Sequence, residues 1–393
     1  MELTSSALVY LVAAVAALAL LATVLFWPRL AHHRPHHVLG RIGLLSLTQL
    51  AVLAVCGLIV NNSYGFYSSW HDLLQPDGSQ LALGPAGAGG KAGPPTGDAL
   101  VRPTEEGGLN TVSDLPQGRP EEVGRVDSIQ VRGKESGLSD QMFIYLPPEY
   151  FNPKYSRERF PVLLTLAGYP GPSLHLLNEM HTPQTAWDLQ RTGRMAPTVL
   201  VMARPTVAAP RNTECVDVPG GPATETWFAK DVPTALRSAY RVSRSAASWG
   251  VLGYSTGGSC ALRLALRDPG SYGSAAALHA DYQAATDWST GDLFGGNQQL
   301  AQSYDLAWRL HNLPVPKSSL LIVSTRTEDN YAATQQFLAS VTPVTQAHPD
   351  LKVDSLFLPD GGHSFETWRR ELPAALEWIS DHLQPAPDRE PRG

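Results

Sequence analysis

The pentapeptide Gly-Tyr-Ser-Thr-Gly at 253–257 constrains the fold of this chain more than any other segment. It follows an apolar run, 249–252, and precedes a helix-like segment, 260–267. This order predicts a buried strand, a sharp turn and a helix, with the Ser255 hydroxyl raised at the turn. Glycines flank the serine because a side chain there would collide with the neighbouring strand and helix. The pattern is typical of a nucleophile elbow, although an ordinary tight turn also fits it.

A histidine that can act as the base lies near the end of the chain. A serine hydroxyl is a poor nucleophile near neutral pH and needs a base to take its proton. His363 stands in a Gly-Gly-His-Ser loop, after the strand-like run 353–358 and before the helix-like run 368–383. A histidine at the end of a strand can turn toward a nucleophile. The alternative is a surface histidine without a role.

Carboxylates that can orient this histidine also follow predicted strands. The apolar run 319–323 leads into Glu328 and Asp329. Asp329 is the preferred acid and Glu328 the alternative, with Asp281 a third candidate because it follows the strand-like run 275–279. The order serine, acid, histidine along the chain is that of the α/β-hydrolases.

Two backbone N–H groups are needed to hold the negative oxygen of a tetrahedral intermediate. Thr256, the residue after the serine, is expected to supply one of them. The other is expected from the loop after the strand-like run 160–166. Tyr169 is the preferred donor in this loop and Gly168 the second, while a plain turn remains the alternative.

The region 123–385 resembles a known family. The motif His-Ser-x-Glu-x-Trp at 363–368, followed by Leu372, is similar to the histidine motif of the esterases related to the secreted mycolyltransferases of the antigen 85 group and to S-formylglutathione hydrolases. The pattern Gly-x-Ser-x-x-Gly-Ser-x-Ala at 253–261 is similar to that family's elbow helix. The resemblance implies an α/β-hydrolase fold, a central and mostly parallel sheet flanked by helices, with Ser255, an acid near Asp329 and His363 as the triad.

Departures from the family concern the substrate. Trehalose mycolyltransferases carry an acidic residue and an arginine in the oxyanion loop, whereas residues 166–171 read Leu-Ala-Gly-Tyr-Pro-Gly. The tryptophan that follows their His-Ser pair is Phe365 here. Trehalose mycolylation is therefore not expected. A serine esterase acting on an acyl ester is the leading interpretation. An acyltransferase that moves an acyl chain to an envelope glycan or lipid is the alternative, and a non-catalytic envelope-binding scaffold is the third.

Two apolar stretches near the start predict two transmembrane helices, at 6–27 and 42–60, within a membrane anchor that spans 1–75. Each stretch is long enough to cross a bilayer of about 30 Å. Arg29, Arg34 and Arg41 lie between them. By the positive-inside rule this loop is cytoplasmic, which places the N-terminus and the catalytic domain outside the cell membrane.

Glycine, proline and alanine dominate residues 76–122, which are therefore predicted to form a disordered tether. The catalytic domain is predicted at 123–385, and a second disordered stretch at 386–393.

In an extracellular setting Cys215 and Cys260 can form a disulfide, although spacing alone does not require it. No metal-ligand pattern or dinucleotide motif is found, so no cofactor is expected. The formal net charge of −6, without a basic cluster, argues against nucleic acid as a partner.

Overall fold

The computed structural model describes residues 5–31, 34–64 and 100–385. The chain divides into two compact units between Leu83 and Gly84. The predicted tail, 386–393, and the first part of the predicted tether, 76–99, lie outside the described residues.

In its described residues, the first unit consists of two helices, α1 (Ser6–Phe26) and α2 (Pro35–Tyr64). Both are long and apolar enough to cross a membrane, a test that a signal sequence near the N-terminus also passes. The second helix begins at Pro35 rather than at the predicted residue 42. Proline is favoured at the first position of a helix because its missing N–H would have no helical partner there. The side chains of Thr23 and Thr48 share a hydrogen bond of 3.3 Å between the helices.

The second unit is built on one sheet of nine strands in the described part of the chain. Their order is β1-β2-β3-β5-β4-β6-β7-β8-β9. The pairs among β1, β2, β3 and β5 are antiparallel, and all pairs from β5 through β4 to β9 are parallel. The strands are β1 (Val101–Glu105), β2 (Arg125–Arg132), β3 (Ser139–Leu146), β4 (Val162–Leu166), β5 (Val199–Ala203), β6 (Trp249–Tyr254), β7 (Ser274–Leu278), β8 (Ser318–Thr325) and β9 (Leu351–Leu358).

Helices cover both faces of this sheet. The longer ones are α3 (Thr182–Arg191), α4 (Val232–Ala239), α5 (Thr256–Arg267), α6 (Gln298–Ser303), α7 (Leu306–Asn312), α8 (Tyr331–Ala347) and α9 (Phe365–His382). Shorter helical segments lie at Pro120–Val123, Pro148–Phe151, Pro153–Tyr155, His175–Asn178, Thr224–Thr226, Trp227–Asp231 and Ala246–Ser248. The mostly parallel sheet flanked by helices confirms the predicted fold class.

Alternate residues of the central strands enter two separate cores, because side chains of a strand point in turn to opposite faces. In β8, Leu320 and Ile322 pack with α4, α5 and α8, whereas Leu321 and Val323 pack with α3 and α9. Both faces of the central strands are therefore buried. This explains why their sequences are continuously apolar, as expected for parallel strands between two layers of helices.

The predicted boundary between tether and catalytic domain is wrong for residues 100–122. Strand β1 pairs with β2 at the edge of the sheet, and Leu109 and Leu115 are buried in the core on the α9 side. An edge strand is stabilised by backbone hydrogen bonds, so its sequence needs no continuous apolar pattern. The folded domain thus includes residue 100, well before the predicted start at 123.

The predicted disulfide between Cys215 and Cys260 is present, with the two Cα atoms 5.6 Å apart. It joins the segment after β5 to helix α5. Next to it, the buried guanidinium of Arg263 donates to the Glu214 carboxylate (2.7 Å) and to the Gln283 carbonyl (2.8 Å). Helix α5 therefore holds the segment around 214 through a covalent bond and a buried ion pair, and the segment around 283 through a hydrogen bond.

Replacing both Cys215 and Cys260 with serine is expected to lower the free energy of unfolding of the second unit. The bond closes a loop across 45 residues, and its loss adds conformational entropy to the unfolded chain worth about 4 kcal/mol. Chemical denaturation measures the change. Cys56→Ser, in helix α2, is the control and should leave this transition unchanged. A loss below about 1 kcal/mol in the double variant would contradict the expected role.

Candidate active site

Ser255 occupies a strained turn between β6 and α5. Its φ of 55° and ψ of −129° lie outside the regions that L-residues ordinarily adopt. A side chain on Gly257 would place its Cβ 2.3 Å from the Leu166 carbonyl oxygen, and one on Gly253 would lie 2.3 Å from the Gly257 backbone. The Ser255 N–H donates to the Leu278 carbonyl (2.9 Å). Both flanking glycines are thus required by the close approach of β4, β6 and α5.

His363 is in hydrogen-bond contact with this serine. Its Nε2 lies 2.9 Å from Ser255 Oγ. The loop that carries it is fixed to the loop after β8, because the hydroxyls of Thr325 and Thr327 both donate to the Gly361 carbonyl (2.8 and 2.7 Å). The edge of the Trp368 ring packs against the imidazole, with ring centres 4.9 Å apart. The two predicted residues, 108 positions apart in sequence, are brought together.

The carboxylate beside His363 belongs to Glu328, and the preference for Asp329 is corrected. Glu328 Oε1 lies 3.1 Å from His363 Nδ1, and this side chain is only 5% exposed. Asp329 is exposed to solvent. Asp281 accepts instead from the Asn330 amide (2.8 Å). The turn after β8 buries the first of the two adjacent carboxylates, where the Ser324 hydroxyl also donates to it (3.1 Å).

The loop after β4 lies against the nucleophile. A Cβ on Gly168 would be 3.1 Å from Ser255 Cβ. Thr256 is the first residue of α5, so its N–H has no acceptor within the helix. The Tyr169 hydroxyl donates to the Pro210 carbonyl (3.4 Å), which connects this loop to the segment after β5. The assignment of the Thr256 and Tyr169 amides to an oxyanion hole, with Gly168 as the alternative, stays a prediction.

Two further residues that sequence reasoning missed extend this arrangement. His279, just after β7, contacts Glu328 Oε2 through Nδ1 and Glu371 Oε1 through Nε2, the latter at 2.9 Å. Glu371 lies on α9, among the buried residues Trp368, Leu372 and Ala375. A sequence signal existed, since Glu371 is a charged residue at helical spacing within an apolar stripe. A single charged side chain in such a stripe is buried on folding and therefore requires a buried partner.

A family model described as "Putative esterase" matches residues 137–379, more than half of the chain. The chain belongs to this esterase family. An uncharacterized protein of Corynebacterium glutamicum is 25% identical over 282 residues, which cover 66% of this chain and 62% of that protein. The chain thus spans less than two thirds of that relative.

Solved structures with the same fold include three hydrolases. A ferulic acid esterase is similar over 66% of this chain and 98% of its own, with a TM-score of 0.56 and 16% identity. An S-formylglutathione hydrolase of Agrobacterium tumefaciens covers 69% of this chain and 98% of its own (TM-score 0.54, 15% identity). A fluorophosphonate-binding serine hydrolase of Staphylococcus aureus covers 65% and 98% (TM-score 0.52, 14% identity). Family and fold together support a carboxylic ester hydrolase.

The negative charge of Glu328 is stabilised by its neighbours. Burial alone would raise the pKa of Glu328, but the hydrogen bonds and charges of His279 and His363 outweigh burial and lower the pKa to about 2. A carboxyl with a lowered pKa in the folded state stabilises the fold fully above its unfolded pKa of 4.5. That contribution is lost as the pH falls toward 2. Glu328 is therefore ionised at neutral pH.

The same side chains have the composition of a metal site. Ligand atoms of His279, Glu328 and His363 lie within 4.8 Å of one another. However, the ring nitrogens that face Glu328 are already occupied by its two oxygens, and the remaining nitrogen of His363 faces Ser255. This arrangement suits the holding and transfer of protons. Among the ligand atoms of these three side chains, only His279 Nε2 is directed away from the other two residues. Glu371 already occupies that nitrogen.

A cavity of about 570 Å³ opens beside the carboxyl ends of β7 and β8. Asp281 and Asn330 form part of its wall. They follow His279 and Glu328, respectively, by two residues. Tyr282 and Phe337 stack on each other (4.1 Å between ring centres) and add an apolar part. The segment 283–299, which follows Tyr282, contributes Gln283, Ala284 and Ala285 to this wall. Its Trp288 is 92% exposed.

Glu328→Gln is expected to lower kcat about 10⁴-fold, because an amide cannot hold His363 in the tautomer that accepts the serine proton. Asp329→Asn, one position further along, is the matched control and should stay within about threefold of the parent activity. Steady-state hydrolysis of a p-nitrophenyl ester measures both variants. The reverse ranking would restore Asp329 as the triad acid.

Proposed function

We propose that this protein is a membrane-anchored serine esterase whose triad is Ser255, His363 and Glu328. The observation that carries the proposal is the continuous pair of contacts from Ser255 Oγ to His363 Nε2 (2.9 Å) and from His363 Nδ1 to Glu328 (3.1 Å). Each contact has the geometry and the partners that an activated serine needs. The strained backbone at the serine supports the same interpretation, since such strain is concentrated at functional sites.

In the first half-reaction, His363 Nε2 takes the Ser255 proton as Oγ attacks the acyl carbonyl carbon. The resulting oxyanion is held by the N–H groups of Thr256 and Tyr169, or of Gly168 in place of Tyr169. The tetrahedral intermediate breaks the bond to the alcohol oxygen, which leaves with the proton from His363. An acyl ester on Ser255 remains. The Glu328 carboxylate stabilises the imidazolium that forms between these steps.

In the second half-reaction, His363 takes a proton from water as the water oxygen attacks the acyl-enzyme. Collapse of the second intermediate returns the proton to Ser255 and releases the carboxylic acid. An acceptor hydroxyl in place of water would give acyl transfer to an envelope glycan or lipid. A binding scaffold without activity would not need the buried acid.

We further propose that helices α1 and α2 anchor the esterase in the cell membrane. Their length and apolar composition support the proposal. Arg29 and Arg34 lie between the two helices, and Arg41 lies in the first turns of α2. The positive-inside rule then places this connection in the cytoplasm and the esterase domain on the outer side. The disulfide supports that side, because disulfides persist in oxidising compartments.

A burst assay tests the catalytic proposal. With p-nitrophenyl esters of increasing chain length, the protein is expected to release one equivalent of nitrophenol rapidly and then turn over more slowly. Ser255→Ala should abolish both phases, leaving less than about a hundredth of the parent rate. Ser238→Ala in α4, whose hydroxyl donates to the Ala235 carbonyl of the same helix, is the control for a lost hydroxyl. Turnover that survives in Ser255→Ala would assign the nucleophile elsewhere.

Added acceptors separate hydrolysis from transfer in the same assay. Faster release and an acylated sugar or glycerol would favour the transferase, whereas an unchanged rate with free acid as the product would favour the esterase. A folded protein that neither turns over nor reacts with an activated phosphonate would support the scaffold instead.

Membrane fractionation tests the anchor. The full chain is expected to stay in the membrane pellet after alkaline extraction, because two apolar helices cross the bilayer. A chain shortened to residues 100–393 keeps β1 and should appear in the soluble fraction. In cells with a permeable outer envelope, added protease should release the esterase domain. Complete protection there would overturn the proposed orientation, and extraction of the full chain by alkali would overturn the anchor.

A further inference from the structure

Glu328 has two oxygens, and His363 uses only one of them. The other, Oε2, forms an ion pair with His279 Nδ1. The second nitrogen of His279 lies 2.9 Å from Glu371 Oε1. The side chains of His279 and Glu371 are fully buried, and that of Glu328 is nearly so. The contacts Ser255–His363–Glu328–His279–Glu371 therefore form one continuous line from the nucleophile into the core.

The chemistry of this line sets the protonation of His279. Both ring nitrogens face carboxylate oxygens, and a neutral imidazole has only one N–H to donate. The ring satisfies both partners when it carries a proton on each nitrogen, that is, as an imidazolium. A buried carboxylate without a positive partner is costly, so Glu328 and Glu371 favour the same state.

Three separate parts of the fold fix His279 between the two glutamates. Its backbone φ is 54°, and its N–H donates to the Val323 carbonyl of β8 (2.9 Å). Glu328 comes from the loop after β8, and Glu371 comes from α9 on the other side. The Trp368 ring is nearly perpendicular to the rings of both His279 and His363, with ring centres 6.4 and 4.9 Å away. The imidazole ring is thus held by β7, β8 and α9 together.

We propose that His279 is a positioning residue of the esterase site. As an imidazolium clamped between Glu328 and Glu371, it holds the Glu328 carboxylate in the orientation that binds His363 Nδ1. It also offsets part of the negative charge that Glu328 presents to His363. This inference rests on the proposed function.

The charges around His279 agree with this assignment. Burial alone would lower the pKa of His279, but Glu328 and Glu371 outweigh it and raise the pKa to about 9. Burial is also the main reason that the pKa of Glu371 is raised, whereas the hydrogen bond and charge of His279 lower it. The other titratable groups near this cluster are His363, with ring centres 6.1 Å apart, and Asp281, which interacts with Glu328. Arg370 acts on Glu371 from the same helix.

A double-mutant cycle tests the proposal. His279→Gln is expected to lower kcat about 10- to 100-fold with little change in KM, a loss typical of residues that orient a catalytic partner. The acid limb of the kcat/KM profile should move to higher pH, because the negative charge of Glu328 then faces the active site without a neighbouring positive charge. In a Glu328→Gln background the same substitution should cost less than about threefold. Equal losses in both backgrounds would overturn the proposal.

Asp140→Asn is the matched control for loss of a buried charged pair. Asp140 lies in β3, a strand that carries no triad residue. It accepts two hydrogen bonds from Arg204 (3.0 and 2.9 Å). The Asp140→Asn variant is expected to lower the melting temperature without moving the pH profile.

If His279→Gln does not fold, the double variant His279→Gln/Glu371→Gln replaces the buried charges with two neutral amides. It should fold and show the same lowered kcat and shifted limb.

The protonation of His279 can be measured in the full protein without any turnover. Nitrogen-15 NMR of the histidine rings is expected to show one imidazolium at pH 8 that keeps both N–H protons and titrates near pH 9. A neutral His279 at pH 8 would overturn the inference. Failure of the proposed function looks different, since the parent protein would then react with neither ester nor phosphonate. Equal phosphonate labelling of the parent and His279→Gln would leave the function intact and refute this role.

Discussion

The contact of α5 with the ends of β4 and β6 is the constraint on which the site depends. The Gly257 backbone lies so close to the Leu166 carbonyl that no side chain fits between them. This contact forces the turn at Ser255 into its strained conformation and brings the loop after β4 beside the serine. It also lies where the parallel sheet extends in both directions from β4, toward β5 and toward β6. Binding sites in α/β proteins form at such points, beyond the carboxyl ends of the strands.

The other side of the site is held by links between loops. Hydrogen bonds to the Gly361 carbonyl join the loops after β8 and β9, so His363 and Glu328 keep their relative positions. Helix α5 does the same for the segments around 214 and 283 through Arg263. Loops that carry reactive groups are expected to be positioned by a rigid scaffold. In this protein the scaffold reaches them through side chains as well as through the strands.

The sequence predicted the parts of the structure whose signal is local. Ser255 and His363 were found because each stands next to its strand in a glycine-rich turn, and the structure brings them together. Glu328 and Asp329 are adjacent, and only the path of the turn after β8 decides which of them is buried. Strand β1 was missed because backbone pairing at a sheet edge leaves little trace in composition. The contact of His279 with Glu371 joins residues 92 positions apart, and no local pattern encodes such a pairing.

The order of these residues along the chain has a consequence for biosynthesis. Ser255 is synthesised 108 residues before His363, and the Gln384 N–H donates back to the Ala247 carbonyl. A ribosome that has not yet released these later residues holds a chain in which Ser255 has no histidine beside it. The proposed nucleophile therefore stays without its proposed base while the following strands and helices are made. The contact of Ser255 with His363 forms only when the loop after β9 and helix α9 dock against the sheet.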